Sequence, residues 1–322
     1  MTTELVTVIT PAYNQGAYLA ETIDSVLNQD YPELEYIVLD DGSSDNTPDV
    51  LAAYDDPRLR YECHDNMGEA QTVNKGFGMA HGDFVMIVNA DDPLLPGAIR
   101  SQVDYMRVHP AVLATYPDWQ EIDERSQPVK TIHVWDYDYA LMIRRAACVP
   151  GPAALIRKRG IDQIEGRRGE FRYVTDMDFW FRLGLHGPLA RIPQTLATHR
   201  THPDASGVAR AALVGQEIVA YMRTFFDRDD LPPDIALLKN EAMSSAHAQA
   251  AARAPSYRER RHHYIQSFRL YPLNWIRNPD CRGLWKVGAL LLPEPVYNML
   301  RLPLRPVGKW LRARGQSRNE EK

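Results

Sequence analysis

Asn89-Ala90-Asp91-Asp92 follows directly on the apolar run Phe84-Val85-Met86-Ile87-Val88. An apolar run of this length, closed by polar residues, reads as a parallel strand covered on both faces. In open α/β sheets, ligands bind just beyond the carboxyl ends of such strands. Two carboxylates placed there offer hard oxygen ligands for Mg²⁺ or Mn²⁺, and such an ion can hold a diphosphate. A diphosphate held in this way is both a handle and a leaving group. Two earlier loops have complementary chemistry. Pro11-Ala12-Tyr13-Asn14 closes a first β-branched run, and Asp40-Asp41-Gly42-Ser43-Ser44-Asp45 closes a second. A tyrosine ring can stack on a nucleobase, and a carboxylate can accept a base N–H. Asp-Gly-Ser alone is common turn chemistry. The three loops together, in this order and spacing, point to a nucleotide-diphosphate site.

The elements needed to position these loops are readable from the pattern. Leu5–Thr10 is expected as a strand, followed by a helix through Leu19, Ile23, Val26 and Leu27 that ends at Tyr31-Pro32. Tyr36–Leu39 is a second strand, and Thr47-Pro48 opens a helix through Val50, Leu51 and Tyr54. Leu59–Glu62 reads as a weaker strand, Ala70–Ala80 as a helix, and a further helix follows Pro96. This alternation predicts an α/β fold with a mainly parallel sheet flanked by helices. Residues 111–200 mix short strands such as Val112–Tyr116 with loops and a helix at Met177–Leu185. From about residue 211 the pattern is helical, broken at Pro232-Pro233 and Pro255. The expected division is a catalytic domain over 1–210 and a C-terminal helical extension over 211–322.

Composition narrows the function classes. The 322 residues carry 44% apolar and 25% charged side chains, the balance of an ordinary globular protein. A net charge of −5 gives no global basic field for nucleic acid. Cys63, Cys148 and Cys281 are scattered singly, with no metal-ligand pair or disulfide framework, which suits a reducing compartment. Met1–Leu5 lacks a signal-peptide pattern, and the longest apolar stretch near the end, Gly288–Leu292, stops at Pro293. A cytoplasmic location is expected. Residues 301–322 hold seven Lys/Arg and two Asp/Glu, with Trp285, Leu290, Leu291, Leu292 and Tyr297 just upstream. Such a segment suits either peripheral docking on an anionic inner membrane face or a packed helix followed by a solvated tail.

Thr7–Asn14, the helix segment Thr22–Gln29 and Val38–Asp45 together resemble family 2 glycosyltransferases. The resemblance continues through Asn66-Met67-Gly68, Asn74-Lys75-Gly76, Ala80–Asp83 and Asn89–Asp92, and it covers roughly residues 5–205. It implies a GT-A fold and an inverting enzyme that uses a nucleotide-diphospho-sugar, expected to be UDP-linked. The implied acceptor is a glycan or lipid-linked saccharide of cell-envelope or surface-polysaccharide assembly. By this resemblance Pro11, Ala12, Tyr13 and Asn14 line the nucleotide, and Asp41 contacts the base edge beside Asp40. Gly68, Asn74, Asn89, Ala90 and Asp91 complete the donor site. Asp91 and Asp92 hold the Mg²⁺ or Mn²⁺, and Asn89 replaces the aspartate usual at the first position of the DxD motif.

Thr175-Asp176-Met177-Asp178 resembles the family's Glu-Asp segment, with Thr175 in place of glutamate. This makes Asp176 the general base. Its residue type alone suits a helix N-cap equally well. Asp178 is expected to be structural or to hold Arg182. His199-Arg200-Thr201-His202, with Ser206 downstream, resembles the loop that closes over the diphosphate. It implies Arg200 as a diphosphate clamp and His202 as a further metal ligand. Arg167-Arg168 lies on the expected acceptor side and suits either a phosphate-bearing acceptor or a solvated loop. Trp119, Trp135 and Tyr137 suit either sugar stacking or a core. Two other classes compete: a nucleotidyltransferase, whose glycine-rich basic loop Pro11–Gly16 lacks, and a non-catalytic nucleotide-sugar binder.

Overall fold

A computed structural model describes residues 4–201, 210–274, 293, 295 and 296. The chain divides into two compact units, one of residues 1–143 and 147–210, the other of 144–146 and 211–322.

The first unit is built on an eight-stranded mixed sheet. Its strands are β1 (Val6–Ala12), β2 (Leu34–Asp40), β3 (Leu59–Cys63), β4 (Phe84–Ile87), β5 (Ala114–Ile122), β6 (Pro128–Ile132), β7 (Leu155–Arg157) and β8 (Leu189–Arg200). The order is β3-β2-β1-β4-β7-β5-β6, and β8 pairs with β5. The β3-β2-β1-β4 half is parallel throughout. Val6, Val8, Ile9, Tyr36, Ile37, Val38, Leu39 and Met86 are fully buried, as strands covered on both faces require. The helices α1 (Leu19–Leu27), α2 (Thr47–Ala52), α3 (Glu69–Met79), α4 (Ala98–Val108), α5 (Tyr139–Arg145), α6 (Lys158–Ile164) and α7 (Thr175–Gly184) connect the strands. Leu19, Ile23 and Val26 of α1 and Ile99, Val103 and Met106 of α4 recur at helical spacing and are buried against the sheet.

The expected α/β architecture with a mainly parallel sheet is therefore observed. Two differences have physical causes. β1 runs through Pro11 to Ala12 instead of ending at Thr10; β4 registers only with Val6–Ile9, so only β2 lies alongside at Pro11. β8 has no clean apolar–polar alternation in the sequence and contains Pro193. Ile192 is opposite Pro117, but Thr195 is opposite Asp118, so a bulge takes up Pro193 and the pattern slips.

In the second unit, α8 (Ala211–Phe226), α9 (Pro233–Ala236), α10 (Lys239–Arg253) and α11 (Tyr257–Leu270) form a small helical core. Ala242, Ala246, Ala250 and Ala251 let helices approach closely: a Cβ added at Gly215 would stand 3.0 Å from the Ala250 Cα. No helix among the described residues is long and apolar enough to cross a membrane. The basic and aromatic stretch over 285–322 lies almost entirely outside the described residues.

Candidate active site

The β1 and β2 loops are tied together by short polar contacts. The Asn14 N–H donates to Ser43 Oγ at 2.8 Å, and Asn14 Oδ1 accepts from the Ser44 N–H at 2.8 Å. Asn14 adopts φ 53°, a left-handed conformation that asparagine tolerates. Asp45 accepts from the Gly16 N–H at 2.9 Å and from Thr47 Oγ1 at 2.6 Å. These bonds leave Tyr13 projecting, 51% exposed, where its ring can act as a platform. Pro11 is half-buried and Ala12 buried beneath it.

Asp40 and Asp41 are both buried. Asp40 Oδ1 accepts from the Ser43 N–H at 3.0 Å and so shapes the turn. Asp41 receives the backbone N–H groups of Met67 at 2.7 Å and of Gly68 at 3.0 Å, one on each carboxylate oxygen. The β2 loop is thereby locked onto the segment that starts α3. Gly42 makes the close approach: it has φ +75°, and a Cβ there would stand 2.8 Å from the Asn66 backbone nitrogen. Gly42→Ala is expected to lose about 1–2 kcal/mol from backbone strain alone, with the clash adding to this, read as a lowered thermal midpoint. Gly68, at φ +87°, is the residue before α3. Asn74 sits further along α3, where its amide donates to the Arg167 carbonyl at 2.7 Å and accepts from the Arg167 N–H at 2.8 Å. Its observed contact is with the chain.

The loop after β4 is anchored from beneath by α1. Thr22 Oγ1 donates to the Ala90 carbonyl at 2.9 Å, and the Leu94 N–H donates to Ser25 Oγ at 2.9 Å. Ala90 and Asp92 are buried, Asn89 is exposed and Asp91 half-buried. The two acidic residues are thus not equivalent. The Asp92 carboxylate accepts from the Arg200 N–H at 2.7 Å and from Asn89 Nδ2 at 2.9 Å, and it lies 3.4 Å from His199 Nδ1. That carboxylate raises the His199 pKa, chiefly through the hydrogen bond and against the cost of burial.

Arg200 is fully buried. Its Nε donates to the Asp91 carbonyl at 2.9 Å, Nη1 to the Asp123 carbonyl at 3.0 Å, and Nη2 to Glu21 Oε2 at 2.7 Å; Tyr18 stacks beneath, 4.6 Å from ring centre to Cζ. Burial and these contacts turn the guanidinium of Arg200, expected as a diphosphate clamp, into the protein. Glu21, whose partner lies 179 residues away, gave no sequence signal for this contact. His202 lies outside the described residues.

The donor chemistry here suits a hard divalent ion. Asp91 offers a carboxylate, and Asn89, with Nδ2 turned to Asp92, presents its amide oxygen on the opposite edge. No group of three His, Cys, Asp or Glu among the described residues converges tightly enough to cage a metal. Mg²⁺ and Mn²⁺ commonly take only one or two protein carboxylates, completing their shell with substrate phosphates and water. A set of this size fits that mode.

Asp176 lies in the first turn of α7. Val174 holds the N-cap position with no side-chain cap bond. Asp176 Oδ1 accepts from the Met177 N–H at 2.7 Å. The residue is open to solvent, yet enough protein surrounds the carboxyl that desolvation raises its pKa, with Arg167 opposing. Cys148 shares these surroundings: burial pushes its thiol well up, and the charge of Asp176 adds to the rise.

Asp178 is buried, and it holds the buried Arg182 as expected, with Nε to Oδ2 at 2.8 Å. Arg182 also donates to the carbonyls of Ile164 and Gly166, pinning the turn before Arg167. Asp178→Ala would strand this guanidinium in the core, so a loss of about 3–5 kcal/mol is expected in chemical denaturation.

Residues 7–164 match the family model described as Glycosyl transferase family 2, and that segment is a family 2 glycosyltransferase sequence. The chain is 34% identical over 125 residues to the glycosyltransferase GlyG of Streptococcus pneumoniae, covering 37% of this chain and 42% of that protein. It thus spans less than half the length of that relative. Among solved structures, S. aureus TarS 1–349 in complex with UDP-GlcNAc superposes with a TM-score of 0.65 at 15% identity, covering 89% of this chain and 88% of that one. The mannosyltransferase PcManGT from Pyrobaculum calidifontis, in complex with GDP-Man and Mn²⁺, gives 0.61 at 18% identity, covering 93% and 84%. These likenesses establish the GT-A fold.

Proposed function

We propose that this protein is an inverting glycosyltransferase that moves a sugar from a nucleotide-diphospho-sugar, UDP-linked by preference, to a hydroxyl of a glycan or lipid-linked saccharide in cell-envelope glycan synthesis. The observation that carries this reading is Asp176: a solvent-accessible carboxyl in the first turn of α7, beside Cys148 and Arg167, whose pKa the surrounding protein raises. A general base works best when its pKa approaches the operating pH. Asp176 takes the acceptor hydroxyl proton as that oxygen bonds to the anomeric carbon and the bond to the diphosphate oxygen breaks. Tyr13 supports the nucleobase, and the 89–92 loop faces the diphosphate. Asp91, Asn89 and the diphosphate would hold Mg²⁺ or Mn²⁺, which when bound stabilises the departing charge. The TarS and PcManGT complexes support a nucleotide-sugar donor, and the latter supports a divalent ion.

The stereochemistry of the product tests this reading. Proton NMR of the new linkage made from an α-linked donor should show a β-configured anomeric centre. An α-linked product would require a double displacement or a front-face route and would sink the role given to Asp176.

A further inference from the structure

Arg167 is an unusual arginine in this chain. Its side chain is only 10% exposed, and Nη1 reaches Glu69 Oε1 at 2.6 Å. Its Nε is buried and has no hydrogen-bond partner among the described residues. Buried charged donors without acceptors are unfavourable and rare. The loop that carries Arg167 is also built rather than draped. Asn74 holds its backbone from both sides, and Arg182 grips the carbonyl of Gly166. Gly166 has φ +72°, and a Cβ there would stand 2.5 Å from Asn74 Oδ1, so the turn is fixed where it stands.

The Nε side of a guanidinium is the edge that takes two oxygens at once. Two other arginines show that edge occupied: Arg58 grips Asp56 through Nε and Nη2 at 3.0 and 2.8 Å, and Arg191 grips Asp118 through the same atoms at 2.8 and 2.7 Å. In Arg167 the Nε of that edge is unpartnered, and the guanidinium lies close enough to Asp176 and Cys148 for its charge to act on both. We infer that Arg167 binds an oxyanion, a phosphate or a carboxylate, carried by the saccharide acceptor beside the hydroxyl that reaches Asp176. This rests on the glycosyl-transfer reading for the identity of the ligand, but not for the binding itself. The protein would thus select acidic over neutral acceptors, and the Glu69 carboxylate on Nη1 would compete with the ligand for the same charge.

The test needs no turnover, so its failure is separable from failure of the glycosyl-transfer reading. Inorganic phosphate and acetate are titrated into the full chain in metal-free buffer, by calorimetry and by ³¹P or ¹³C line broadening. Wild type should bind at least one of them, and Arg167→Gln should weaken that binding at least tenfold. Arg167→Lys keeps the charge but loses the two-donor edge and should weaken it as well, which preserves the test if the glutamine variant is unstable. Glu69→Gln should bind as tightly as wild type or tighter. Preference for phosphate assigns a phosphorylated acceptor, and preference for acetate a uronic acid. Binding unchanged in both Arg167 variants, binding lost equally in Glu69→Gln, or no binding of either anion would overturn the inference.

Discussion

Asp176→Asn is expected to lower glycosyl transfer by about 10²–10⁴-fold, the range typical of removing a positioned general base, while donor affinity stays within a factor of about two. The same variant should melt at a higher temperature than wild type. Folding raises the pKa of Asp176, so the native chain binds its proton more tightly than the unfolded chain does. The favourable contribution of the protonated form is fully present below the unfolded pKa and is lost as pH rises through the raised folded value. At neutral pH the ionised carboxylate therefore opposes folding, and a neutral amide of the same shape removes that opposition. Activity and stability should move in opposite directions, as at many functional sites. In wild type the acid limb of the pH–rate profile should fall above the ordinary carboxylate range. Thermal melts and pH profiles of the two proteins check both halves. A variant that loses activity and stability together would mark Asp176 as structural.

The second large effect separates two neighbouring aspartates. Asp91→Asn should weaken Mn²⁺-dependent binding of nucleoside diphosphate at least tenfold and should cost the half-buried residue less stability than the same change at buried Asp92. Asp92→Asn should instead destabilise the fold by about 1–3 kcal/mol, because an amide cannot accept from all the donors this carboxylate serves. Those donors are the Arg200 N–H and Asn89 Nδ2, with His199 nearby. His199 should also lose its raised pKa in Asp92→Asn, observable by NMR titration. Calorimetry with UDP and Mn²⁺, beside chemical denaturation, distinguishes the pair. Equal loss of stability in both variants would contradict the division of labour.

Much of the first unit could be read from the chain. Strands that are buried on both faces have no choice of register or face, and their apolar runs mark β1, β2 and β4 directly. The loops that follow them carry polar residues whose spacing survives folding, so the candidate donor side was visible as three local motifs. The acid pair looked symmetrical in sequence, and only the arrival of β8 shows Asp92 engaged by Arg200 and Asn89. The burial of Arg200 had no sequence signal, since an arginine beside a phosphate-like site and an arginine buried as a strut are identical as letters. Its partners Glu21, Asp91 and Asp123 come from three separate segments. Arg167-Arg168 suited either a phosphate-bearing acceptor or a solvated loop, and only the fold shows the Arg167 side chain nearly buried against Glu69. Residues 111–200 were hard to read because β8 carries a proline in a bulge and β5 pairs on both sides with strands distant in sequence.

The most direct test is release of nucleoside diphosphate from a panel of UDP-, dTDP- and GDP-sugars with Mn²⁺ and a mixed set of saccharide and lipid-linked acceptors, measured for wild type and Asp176→Asn. The account predicts turnover of one donor by wild type, its abolition by chelation of the metal, and its loss in Asp176→Asn although that variant still binds the donor. Tight donor binding by wild type with no release across the panel, or equal release by the two proteins, would contradict it.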